Sequence, residues 1–194
     1  MSQFGVRDKY YRRTGLLGIY DGLVISVTTA LEGWFTGLAA RFAFASVIAV
    51  YYLNSAWSGM NGSLIGLFNV GDGTYAAALP ARMEEVVYDP SMLTTFEHLF
   101  VHAGVWAEFF LPILIIVGLF TRIAAVGMIV VVIVQSWVDV FGHGLEGKSI
   151  GAMFDRLPDA IIFDQRLLWV FLLGILALHG AGKVSLDYVL KHRK

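Results

Sequence analysis

Residues 96–110 read FEHLFVHAGVWAEFF and run straight into the apolar stretch LPILIIVGLF. Glu97, His98, His102 and Glu108 thus stand at the head of a segment apolar enough to enter a membrane. At about 100° per residue, His98 and His102 stack on one helical face with Val105 and Phe109. Glu97 and Glu108 return to within about 20° of one direction, so all four groups fit an arc of roughly 120°. Two histidines four apart can clamp a metal ion if a neighbouring helix adds a carboxylate. They can equally carry protons near neutral pH. They cannot be the opposed axial ligands of one haem, which would have to pair His98 or His102 with His143. Glu108 is an intramembrane carboxylate, a functional candidate by its position alone. The plainer alternative is that these groups hydrogen-bond across helices, at about 1 kcal/mol each. Pro112 removes the N–H that the Glu108 carbonyl would accept, and a kink is expected there.

The elements that must position these groups are membrane spans. The 194-residue chain is 57% hydrophobic and 15% charged, whereas a soluble domain is about 45–50% apolar and about 25% charged. That balance places it in the membrane class, and a net charge of −1 gives no basic field for nucleic acid. With no cysteine, disulfides, thiolate metal sites and Cys-pair redox chemistry are excluded. Four segments reach the roughly 20 apolar residues a bilayer core requires: 39–57, 94–120, 123–141 and 165–182. The fold expected is an all-α membrane protein, a four-helix bundle over 39–190 with a basic tail at 191–194. Residues 1–38 form the N-terminal segment. Within it, 15–38 read as a helix lying in the membrane interface, with Asp21, Thr28, Glu32 and Thr36 on one stripe; a poor fifth span is the alternative.

Basic residues set the orientation. Arg7, Lys9, Arg12, Arg13 and Arg41 precede or open span one, and Arg122 lies between spans two and three. Lys183, Lys191, Arg193 and Lys194 follow span four. Arg82, Lys148, Arg156 and Arg166 fall on the other side, on or beside two long loops, 58–93 and 142–164. Both termini are therefore expected in the cytoplasm and both loops outside. The first loop contains YAAALPARMEEVVYDP, which reads as one short amphipathic helix stopped at Asp89-Pro90.

The outer end of span three adds Gln135, Asp139 and His143 at spacing four, beside Trp137, and Asn54 lies near the outer end of span one. The inner half stays apolar until Arg122, His179, Lys183 and Asp187. A polar pocket made by these groups would open outward.

Three stretches carry a resemblance: RFAFASVIAVYYL opening span one, AEFFLPILIIVGLFTRIAAVGMIVVVI at 107–133, and LHGAGKVSLDYVL at 178–190. Together they resemble the DoxX family of small four-helix membrane proteins over about residues 39–190. Onto this sequence the resemblance carries Glu108, Arg122, Ser185 and Asp187 as motif positions, without assigning a catalytic role. This chain departs from the family pattern where span one ends, reading NSAWSGM, and in its longer first loop. The resemblance implies a multi-pass protein of the bacterial cytoplasmic membrane that works with quinone-linked redox enzymes of the thiosulfate:quinone oxidoreductase type, among other subunits of a redox complex.

Quinone chemistry needs an apolar slot and proton carriers for two oxygens. A slot between spans two and three, lined by Val105, Trp106, Phe109 and Phe110 and topped by His98, His102 and Asp139, would supply both. On that reading Glu108, His102 and Asp139 are the candidate catalytic groups. His98, His102, Trp106, Phe109, Gln135 and His143 are the candidate quinone contacts, with His98 and His102 the candidate metal ligands. The competing reading is a non-catalytic accessory or assembly subunit that docks on a larger complex through its loops, with SLDYVL forming a helix capped by Ser185. A small transporter is a third reading, disfavoured because span four lacks the interrupted half-helices such folds use.

Overall fold

A computed structural model describes residues 15–193. Arg7, Lys9, Arg12, Arg13 and Lys194, counted above toward the orientation, lie outside the described residues. Eight helices follow in order: α1 (Leu16–Leu31), α2 (Phe35–Gly59), α3 (Asp72–Ala78), α4 (Pro80–Glu85), α5 (Thr95–Val117), α6 (Thr121–Gly142), α7 (Ile161–His179) and α8 (Leu186–His192). There is no strand among the described residues.

The chain is a four-span helical bundle. Helices α2, α5, α6 and α7 are each long and apolar enough to cross a bilayer. Span one begins at Phe35, not at 39, because the chain breaks at Glu32–Trp34, where Gly33 adopts φ 80°. Helix α1 has 16 residues, about 24 Å at 1.5 Å per residue, short of the roughly 30 Å hydrocarbon core. Its Leu16, Ile19, Leu23 and Val27 are exposed, which suits a helix lying in the interface rather than a fifth span.

Two apolar cores stack along the bundle axis. One lies between the four spans and contains Phe44, Ile48 and Tyr52 of α2, Ile115 of α5, Met128 and Val132 of α6, and Leu173 and Leu176 of α7. The other lies at the loop end, where the first loop folds down as a lid. There Tyr75, Met83, Val86 and Leu93 pack against Ala56, Met60, Val101 and Val105. The lid carries two helices where the sequence suggested one, because Leu79 precedes Pro80 and is driven out of helical geometry (φ −133°, ψ 56°). The apolar outer faces of the spans, such as Phe42, Ile123, Leu168 and Phe171, stay exposed and meet lipid.

At the opposite end the α5–α6 hairpin turns over Gly118 (φ 75°). Both helix ends at this turn are capped from elsewhere in the chain. The Asp187 carboxylate accepts the backbone N–H groups of Phe120 (2.7 Å) and Thr121 (3.0 Å), the open N-terminus of α6. Arg41 of α2, itself buried, donates to the Ile116 carbonyl (3.0 Å) near the C-terminus of α5 and to the Val184 carbonyl. Ser185 caps α8 as expected, its hydroxyl accepting from the Tyr188 N–H at 3.2 Å. Asp187→Ala should therefore cost about 2 kcal/mol, the upper range for losing a cap. Thermal unfolding of the detergent-solubilised chain checks this, and an unchanged midpoint would show that the cap is idle.

Candidate functional site

The opening histidines stand on the first turns of α5 and face the lid. Capping-box geometry starts α5: the Thr94 hydroxyl accepts from the Glu97 N–H while Glu97 accepts from the Thr94 N–H. Glu97 also takes the Arg82 guanidinium of α4 at 2.8 Å, which ties the lid to span two. One turn on, His98 Nδ1 sits 2.9 Å from the Tyr75 hydroxyl of α3. Burial, and then the charge of Asp72, push the Tyr75 phenol above its ordinary range, so it stays a neutral partner. His102 Nδ1 lies 2.8 Å from the His98 carbonyl. A carbonyl only accepts, so Nδ1 of His102 carries the proton. Trp106 Nε1 donates to the Leu67 carbonyl of the lid at 2.7 Å, and Phe109 packs on the loop-end core.

The expected slot topped by His98, His102 and Asp139 is not assembled. His98 and His102 face α3, while Asp139 turns to α7. Asp139 holds Arg166 at 2.5 Å, and Arg166 also donates to Ser136 at 3.1 Å. Both members of this pair sit on wide π-helical turns, Val138–Gly142 and Ile161–Arg166, a feature that often marks functional positions. His143 Nε2 lies 2.9 Å from the Ala77 carbonyl of α3, so His143 and His98 are each engaged by α3 rather than set up as a ligand pair. Among the described residues no three His, Cys, Asp or Glu side chains converge on a metal position. Asn54 is exposed, and its side chain makes no hydrogen bond among the described residues. Helix α5 is continuous from Thr95 to Val117 with Pro112 inside it, and Arg122 lies in the first turn of α6 rather than in the hairpin turn.

The polar groups that do converge lie between the spans, in their loop-side half. Tyr52 donates to Gln135 Oε1 at 2.9 Å, and Gln135 Nε2 donates to the Tyr51 hydroxyl at 2.7 Å. Each donor points the same way, from the buried Tyr52 out to Tyr51, which is 43% exposed. Trp169 of α7 closes on both tyrosines, its ring 5.5 Å from Tyr51 and 6.1 Å from Tyr52. Glu108 faces the Ser55 hydroxyl one turn along α2. Arg166, Glu108 and Asp139 all lie in the neighbourhood of Tyr52. Gln135, Glu108 and Asp139 were legible from sequence, whereas Tyr51, Tyr52, Ser55, Trp169 and Arg166 were not. The available signal was a Tyr-Tyr pair inside an apolar span, two hydroxyls at the depth of Gln135.

The DoxX family model matches residues 37–140, over half of the chain. The chain belongs to the DoxX family. No curated protein and no solved structure matches it. The DoxX match takes in Glu108 and Arg122 and ends before Ser185 and Asp187. Those two residues, with Arg41 and Gly118, make the clasp at the far end of the bundle. Glu108, by contrast, belongs to the inter-span polar cluster.

Proposed function

We propose that this DoxX protein is the membrane subunit of a quinone-linked electron-transfer system, with the quinone head group held at Tyr51. The observation that carries this is the one-way donor chain Tyr52→Gln135→Tyr51. Each donated bond polarises the next, and the last hydroxyl, on the lipid-facing side of α2, keeps its proton for an incoming acceptor. A quinone oxygen is such an acceptor, and it arrives through lipid. Trp169 offers a ring for the head group to pack on. A bound quinone would supply reversible two-electron, two-proton redox chemistry, which no side chain of this cysteine-free protein has. The chain's own part is to orient the head group, exclude water and keep a carboxyl group, Glu108, one turn away.

The lid histidines take a supporting part on this reading. His102, with Nδ1 committed to the His98 carbonyl, has Nε2 left to exchange a proton at the loop end. By the excess of Arg and Lys at the clasp end, that end faces the cytoplasm of a bacterium and the lid faces outward.

The test uses the full-length chain in lipid vesicles, titrated with a short-chain quinone and read by quenching of Trp169 fluorescence, with Trp169→Phe as the signal control. Tyr51→Phe should weaken binding about tenfold, the worth of one strong hydrogen bond. Equal affinity in both proteins would sink the assignment. A second reading, a non-catalytic accessory subunit, draws on Phe68, Val87 and Phe154, large apolar side chains standing exposed on the loops as docking surfaces do. On that reading Tyr51→Phe is silent, and charged substitutions at those three positions release the protein from its partners.

A further inference from the structure

The clasp end of the bundle holds a cavity of about 490 Å³ between the start of α6, the end of α7 and α8. We infer that it is a binding site for a phosphate-bearing anion, held by Arg122 and Lys191 and shaped for a membrane phospholipid head group.

Charge is the first argument. Arg122 and Lys191 both line the cavity, and among the described residues neither takes part in an ion pair. The one carboxylate in the wall, Asp187, is already committed, since both of its oxygens accept backbone N–H groups of α6. The wall therefore carries two cations, neither of them in an ion pair among the described residues, against one carboxylate whose two oxygens are turned to the start of α6.

Preorganisation is the second. The Arg122 Nε lies 3.2 Å from where a Cβ on Gly180 would stand, and Gly180 has φ 77°. The Arg122 side chain thus lies against a glycine turn whose φ disfavours any other residue, and its guanidinium can offer two N–H groups to two oxygens. His179 also lines the wall, its Nδ1 engaged by the Ile175 carbonyl at 3.2 Å, which leaves Nε2 as a further polar contact. The Thr121 hydroxyl in the same wall is buried and has no partner among the described residues.

The rim suggests which phosphate. Phe120 and Ile123, at the lip, are 61% and 73% exposed, so the cavity borders hydrocarbon on one side and water on the other. A diacyl phospholipid fits both, its phosphate on Arg122 and Lys191 and its chains along the lip. Inorganic phosphate fits only the polar half.

Native mass spectrometry of the full-length chain from micelles holding equal phosphatidylglycerol and phosphatidylcholine separates these outcomes. The native chain should retain phosphatidylglycerol preferentially. Arg122→Gln and Lys191→Gln should each cut that preference about fivefold, as expected for one basic contact to an anionic lipid. Lys148→Gln, in the opposite loop, should leave it unchanged. Lys191 sits on the exposed α8, beyond the last span, so its variant reports even if Arg122→Gln folds poorly. In a second arm, inorganic phosphate is titrated into the chain held in phosphatidylcholine alone. A rise in melting temperature that Lys191→Gln abolishes, without lipid preference, would keep the anion site and assign it a soluble source. If neither probe distinguishes the native chain from the variants, the site does not exist.

Discussion

An Asp139→Leu variant should lose about 2 kcal/mol of stability, and adding Arg166→Met should restore most of it. Arg166 is 5% exposed, so without Asp139 its guanidinium is left charged, desolvated and held only by Ser136. Removing one partner of a buried pair typically costs about 3–5 kcal/mol, whereas replacing both by apolar groups is often neutral. Depth reduces that range. Arg166 lies five residues from the start of α7, about 8 Å along the helix, near the interface where an unpaired arginine costs less than the roughly 2.5–3.5 kcal/mol of mid-bilayer. The Asp139 side chain is 27% exposed, so water screens part of the attraction. Even so, the loss exceeds the roughly 0.6 kcal/mol of an average inter-helix hydrogen bond in a membrane. Thermal unfolding of the two variants in one detergent decides the matter. A single variant as stable as the native chain, or a double variant worse than the single, would show that the pair is not what joins α6 to α7.

Much of this architecture was visible in the sequence because hydropathy is a local signal. Four apolar runs became four spans, and the lid segment announced helical structure by its composition. The i,i+4 spacing placed His98 and His102 on one face, and that face is real. What it faces was not legible, because the partner, Tyr75, arrives from a loop whose fold depends on packing Tyr75, Met83 and Val86 over the ends of α2 and α5. The same limit explains the missed donor chain. Tyr51 and Gln135 are 84 positions apart, and only the bundle's side-by-side order joins them. Arg41 is the clearest case. Beside span one it reads as a basic residue that sets orientation, but its two carbonyl partners lie 75 and 143 positions away.

Those partners make Arg41→Met the variant expected to do most damage, about 3 kcal/mol. The α5–α6 hairpin exposes a helix C-terminus, partly negative, beside a helix N-terminus, partly positive. The chain answers with a guanidinium on the first and a carboxylate, Asp187, on the second. Each charge sits where the helix dipole favours it, and the two are close enough to attract one another. Arg41→Met keeps the apolar stem but removes two charge-assisted bonds, each worth about 1.5–3 kcal/mol in water and less where competing partners exist in the membrane. Arg41→Lys should recover under half of the loss, since one ammonium cannot span both the Ile116 and Val184 carbonyls as a fork does. Gly118→Ala attacks the same clasp from the other side. Its Cβ would stand 2.6 Å from the Ser185 Cβ and 2.7 Å from Arg41 Nη1, at a residue held at φ 75°. Unfolding midpoints for Arg41→Met, Asp187→Ala and the double variant complete a cycle. If the clasp acts as a unit, the double variant loses less than the sum of the singles. Strict additivity would mean that each charge caps its own helix end independently.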